Sequence, residues 1–211
     1  MVVKVYDNAN DYLKENASVL LMNEAVSQLV LYNAYQCRQN SDIASLFGVV
    51  TDEDGIILHF SNIPNSNLAI YIQNNDKDIR EAAMVLADYV ADNNIALEGI
   101  NAKYEVCEAF IEEYKKRVKC TFAERLAVDI MEIRQLNEIK PAEGKTRLAM
   151  PSEAKLLTDW LIQFQIEALA KEINYESALV KISKLIADNR LFVFENDEGN
   201  IVSMAAATRY L

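Results

Sequence analysis

The sequence predicts a mixed α+β protein, built on a mostly antiparallel sheet flanked by helices, and three observations predict it. Short β-branched runs alternate with long stretches whose apolar residues recur every three or four positions. Asp-Gly joins two strand-like runs, a strong hairpin signal. After Pro141 and Gly144 the whole pattern restarts. At 211 residues the chain has room for one large domain or two small ones. The restart favours two, residues 1–140 and 141–211.

Val2-Val-Lys-Val-Tyr6 reads as the first strand. A helical stretch follows from Asn8 to Gln39, with a break expected near Asn16 and an apolar face of Val19, Met22, Val26, Leu29 and Val30. Leu46–Thr51 and Ile56–Phe60 flank Asp52-Glu-Asp-Gly55 as a hairpin, and Leu68–Ile72 extends the meander. Asp78 with Glu81 forms a capping box for a helix carrying Ala82, Ala83, Leu86 and Val90 on one side. Asn101 is the expected cap of the next helix, which buries Val106, Phe110 and Tyr114. The alternation of Leu126, Val128 and Ile130 then predicts a strand over Phe122–Leu136.

Residues Asn137 to Lys145 read as a linker. Beyond it, Thr146–Met150 is a short strand and Ser152 the expected cap of a helix bearing Leu157, Trp160, Leu161 and Phe164. A second helix starts at Tyr175, and Leu191–Phe194 with Ile201–Ala205 forms another hairpin. Leu46-Phe47, Asp52-Glu53 and Ile56 recur as Leu191-Phe192, Asp197-Glu198 and Ile201, a constant offset of 145 (191 − 46). The same offset carries 2–6 onto 147–151. A tandem repeat is the expectation.

Composition removes several function classes. The net charge of −11 repels phosphate backbones, so nucleic acid is not an expected partner. The one basic cluster, Lys115–Lys119, ends a predicted helix, where it complements the dipole. No apolar run approaches the roughly 20 residues of a membrane span. Met1–Asp7 lacks the features of a signal peptide, and a cytoplasmic protein without a membrane partner is expected. Cys37, Cys107 and Cys120 are widely spaced and read as free, packed thiols. His59, the single histidine, sits in an apolar run as a packed imidazole, which leaves no histidine triad and no expected metal site. The five glycines, Gly48, Gly55, Gly99, Gly144 and Gly199, are too scattered for a phosphate loop.

Ile130-Met-Glu-Ile-Arg134, Glu138-Ile-Lys-Pro-Ala142, Arg147-Leu-Ala-Met-Pro-Ser-Glu-Ala154 and Asp159-Trp-Leu-Ile-Gln-Phe164 together resemble a group of bacterial GNAT-type N-acetyltransferases. The likeness runs along the whole chain and is most specific from about Glu132 to Arg209. It implies a degenerate GNAT-like lobe over 1–140, then the first part of a second, catalytic GNAT lobe over 141–211. It also implies acetyl-CoA as cofactor of the full-length protein and a small amine or a protein amino group as acceptor. In the family the pyrophosphate is held at a strand-to-helix junction of pattern Gln/Arg-x-x-Gly-x-Gly/Ala, where glycines let the backbone approach. The first lobe offers Ile72-Gln-Asn-Asn-Asp-Lys-Asp78 there, without glycine and with two aspartates. By the offset, Leu211 precedes the corresponding strand of the second lobe. The expectation is therefore an inactive fragment, with no cofactor bound by this chain and no catalytic residue to carry over.

Trp160, Phe164 and Glu167 are the candidate acceptor-binding residues, the carboxylate holding a cationic amine. The competing reading makes Trp160 and Phe164 core, and Glu167 a surface partner of Lys171 at i, i+4 spacing. The competing function is a non-catalytic ligand-sensing or protein-interaction module on the same scaffold. The run Ile201–Thr208 is uncharged, so an exposed strand edge there predicts self-association into a homo-oligomer.

Overall fold

The fold was examined in a computed structural model, which describes residues 1–39, 45–169 and 172–207. Contacts divide the chain between Arg134 and Gln135 into two units. In the first, β1 (Val2–Tyr6) leads to α1 (Ala9–Met22) and α2 (Glu24–Gln39). A meander follows: β2 (Leu46–Asp52), β3 (Gly55–Asn62) and β4 (Leu68–Ile72). Then come α3 (Ile79–Asp92), the two-residue β5 (Ile100–Asn101) and α4 (Tyr104–Tyr114). The sheet runs β1-β2-β3-β4-β5, antiparallel except for the parallel pair β4 and β5.

The period-2 pleat explains the layering. Leu68, Ile70 and Ile72 of β4 join Leu58 and Phe60 of β3 in a core shared with Leu86 and Val90 of α3 and Val106 and Phe110 of α4. Ala69 and Tyr71 face the opposite way, with Phe47 and Val49, into a second core under Tyr12, Leu13 and Leu20 of α1 and Leu31 and Ala34 of α2. Every residue of β4 is consequently buried. Gly48 is required by a close approach. A Cβ there would stand 2.3 Å from Cζ of Phe60 and 2.6 Å from the Lys4 carbonyl oxygen.

Three expectations for this unit are corrected. The helical break falls at Asn23, not Asn16. Asn16 is buried inside α1, its Nδ2 donating to the Tyr12 carbonyl oxygen at 2.8 Å, which keeps the turn intact. Asn101 does not cap α4. It lies in β5, its Oδ1 accepting from Asn67 Nδ2, and the residue before α4 is Lys103, which makes no side-chain cap. Phe122–Leu136 is not a strand. Phe122 packs edge-on against Tyr114, but Leu126, Val128, Ile130 and Ile133 stand more than half exposed. Their alternation fits a half-buried strand, yet no backbone pairs with them among the described residues.

The second unit has β6 (Lys145–Leu148), a 3-10 turn (Pro151–Glu153), α5 (Ala154–Leu169), α6 (Tyr175–Ala187), β7 (Leu191–Glu195) and β8 (Ile201–Ala206). Its antiparallel sheet runs β6-β7-β8. Leu191 and Val193 of β7 pack with Leu157 and Leu161 of α5 and Ala178, Ile182 and Ile186 of α6. Ser152 is not the helix cap, because Pro151 opens a 3-10 turn and Glu153 accepts from the Met150 amide at 2.7 Å instead. Arg147 then joins Glu153, at 2.6 and 3.0 Å, to Glu195 at 2.7 Å. This fork ties β6, β7 and the turn together and holds both carboxyls below their usual range.

The two units share the order strand, two helices, hairpin, with equivalent antiparallel pairing. The constant offset of 145 does not hold throughout. β6 starts at Lys145, so 2–6 does not fall on 147–151. The hairpin bulges lie between Val50 and Thr51 and between Phe194 and Glu195, 144 apart (194 − 50). Small length changes between elements moved the strands while the hairpin residues kept their identities.

Candidate functional site

The first place to look is the turn from β4 into α3, where backbone donors gather. The Gln73 and Asn74 amides both donate to the Ile57 carbonyl oxygen, at 2.9 and 3.2 Å. The Asp76 amide donates to Asn74 Oδ1 at 3.0 Å. Asp78 accepts from the Glu81 amide at 2.9 Å, so a carboxylate of the chain already sits on the positive end of α3. Lys77, the cation of this turn, bridges Asp52 at 3.0 Å and Asp54 of the hairpin. That pairing pushes its ammonium pKa up and the Asp52 carboxyl down. Lys103 is held in turn by Asn75. An anion arriving here meets carboxylates at the helix end and a lysine already neutralised. Replacing Asp78 by Ala should cost about 1 kcal/mol of stability through the lost cap, read as a lower urea midpoint for unit one.

The second place lies on the second unit. Trp160, Phe164 and Glu167 fall at i, i+4 and i+7 of α5 and so share one face. With Gln163 and with Val202 and Ser203 of β8 they line an open depression of about 280 Å³. The side chains do not behave alike. Trp160 is half-buried and packs on the core of this unit, whereas Phe164 is 53% exposed and Glu167 is exposed. The reading of Phe164 as core is therefore corrected; among the described residues β8 borders Phe164 at Val202 and Ser203 but leaves it more than half exposed. Lys171, the alternative partner of Glu167, is outside the described residues. The depression offers two aromatic surfaces and one carboxylate, a combination that suits an organic cation. Among the described residues Glu167 is its one titratable side chain, so these residues alone make no acid–base pair.

A wider depression of about 480 Å³, which the sequence did not reveal, lies in unit one where β3 turns into β4. Asn62, Ile63, Pro64, Asn65 and Ser66 form one wall, and Leu46 and Glu98 lie opposite. Its residues are ordinary turn formers, which is why they carried no signal. Among the described residues Glu98 is the only charged group in it.

The single histidine and two of the cysteines are shielded from solvent. His59 is fully buried, with Nδ1 3.0 Å from the Tyr12 hydroxyl and Nε2 2.6 Å from Gln73 Oε1. Gln73 Oε1 only accepts, so Nε2 carries the proton and the Tyr12 hydroxyl donates to Nδ1. Burial pushes the imidazole pKa down, with Gln73 opposing, and pushes the Tyr12 hydroxyl well up. Both groups stay neutral and inaccessible. Burial also raises the thiols of Cys37 and Cys107, which removes thiolate character. Among the described residues no cluster of His, Cys, Asp or Glu is placed to hold a metal ion. No helix among them is long and apolar enough to cross a membrane. No family model, curated protein or solved structure matches the chain.

Proposed function

We propose that this chain belongs to a GNAT-type, acetyl-CoA-dependent N-acetyltransferase acting on a small amine or a protein amino group. In this reading residues 1–140 are a non-catalytic lobe and the second unit opens the catalytic one. The observation that carries the reading is the repeat: both units build strand, two helices and hairpin in the same order with the same sheet neighbours. The depression at Trp160, Phe164 and Glu167 is then the acceptor side, where the carboxylate attracts a cationic amine. The chemistry is amine attack on the thioester carbonyl carbon, loss of the sulfur as coenzyme A and removal of a proton from nitrogen. The groups that move those protons are unassigned in residues 1–211.

Acetyl-CoA binding separates the two lobes. With Asp78 on the α3 N-terminus and no glycine between Gln73 and Asp78, residues 1–211 should show no heat on calorimetric titration with acetyl-CoA below about 1 mM. Micromolar affinity would overturn the non-catalytic role of unit one. A longer chain that carries residues 1–211 should, in this reading, release free thiol from acetyl-CoA only when a primary amine is present. A panel of polyamines, amino acids and peptide N-termini covers the acceptor classes. Silence with every acceptor favours the competing reading, a sensing or interaction module.

A further inference from the structure

We propose that residues 125–130 of one copy of the chain add as a fourth strand to the open edge of β8 in a second copy. They would lay Leu126, Val128 and Ile130 over Trp160 and Phe164. The donor is an extended segment with a strand pattern and no strand partner. Leu126, Val128 and Ile130 are 55%, 72% and 56% exposed, alternating with Arg125, Ala127 and Asp129. Such a pattern marks a strand with one buried and one wet face, which is how an antiparallel strand sits on a sheet covered on one side.

The acceptor has matching properties. β8 ends the order β6-β7-β8, so one row of its amides and carbonyls has no strand neighbour. Its six residues, Ile201–Ala206, equal the six of the donor. None carries charge, unlike β1 with Lys4 and β6 with Lys145 and Arg147, and the fourth edge, β5, is only two residues long, so β8 is the longest undefended edge. Beside it, Val202 and Phe164 are each 53% exposed on the depression that an added strand would cover. Arg125 supplies a cation for the exposed Glu167 at the rim. The donor belongs to the first unit and the acceptor to the second, and each copy owns one of each. Two copies can therefore exchange strands reciprocally and close with two-fold symmetry.

Light scattering coupled to gel filtration, over about 1 to 100 μM of the 211-residue chain, tests this. The expected mass is twice the 23.9 kDa of one chain, falling toward one chain on dilution. Val128→Lys and, separately, Val202→Lys should each weaken the dimer about tenfold or more; both sites are exposed, so the monomer fold survives. Mixing the two variants should restore a dimer, since one intact donor meets one intact acceptor. A monomer throughout the range, or a dimer indifferent to both substitutions, overturns the proposal. So does concentration-independent protection of the 125–130 amides from hydrogen exchange, which would mean that the segment pairs within its own chain.

Discussion

Leu157→Ala should unfold the second unit while leaving the first folded. Leu157 is fully buried in a core of a few aliphatic side chains between α5, α6 and β7. Truncating a buried leucine costs about 2–5 kcal/mol, transfer and cavity together. A unit below roughly 70–80 residues rarely draws more than about 3–5 kcal/mol from its core, so this loss consumes the margin. Trp160 is the sole tryptophan and lies in this unit, so its fluorescence reports on unit two alone, while far-UV circular dichroism reports on both. In urea the wild-type fluorescence transition should precede the dichroism midpoint. In Leu157→Ala the fluorescence should be that of an unfolded chain without denaturant. Phe110→Ala, in the larger core beneath α3 and α4, should do the reverse. It removes about 3–5 kcal/mol from unit one and leaves the Trp160 transition in place. Coincident transitions that shift together in both variants would show one cooperative unit.

What the sequence disclosed was whatever depends on neighbours in the chain. β4 was legible because five consecutive apolar residues leave no polar face, and both of its faces are in fact buried. The hairpin at Asp52–Gly55 was legible because Asp52 Oδ1 accepts from the amides of Asp54 and Gly55, a bond set by local residue type. Trp160, Phe164 and Glu167 were placed on one helix face by spacing alone. Most of the failures involve distant partners. Leu126, Val128 and Ile130 have a strand's pattern, but pairing needs a second backbone that periodicity cannot supply. β5 is two residues long and exists only because β4 lies parallel to it. Val202 and Ser203 complete the depression from far along the chain, and the imidazole contacts of His59 come from residues 47 and 14 positions away. Asn16 misled because asparagine is a poor helix former, whereas a bond to the Tyr12 carbonyl keeps it helical.

That buried imidazole should make stability fall as pH drops below about 6.5, before most carboxylates titrate. His59 is neutral in the folded protein because burial disfavours its charged form and the hydrogen bond from its Nε2 to Gln73 only partly offsets this. Its folded pKa therefore lies below the unfolded value of about 6.5. Between the two values the unfolded chain binds a proton that the folded chain does not. The contribution is fully present above the unfolded pKa and is lost as pH falls toward the folded one. One proton sets a ceiling on the slope of about 1.4 kcal/mol per pH unit. The imidazole's partners are themselves uncharged: it is bonded by the Tyr12 hydroxyl and the Gln73 amide and stacks on Tyr71. Glu153, Glu195 and Asp52 are held below their ordinary values by cations and add their losses only at lower pH. Urea midpoints followed by dichroism at pH 7.5, 6.0, 5.0 and 4.5 should fall steadily in the wild type. His59→Gln removes the titrating group while keeping an amide for Tyr12, and its midpoint should be flat over that range even if lower at pH 7.5. Tyr12→Phe leaves Nδ1 without its donor, costs about 1–3 kcal/mol at pH 7.5, and keeps the slope. A slope of equal size in His59→Gln would move the acid sensitivity to the carboxylates.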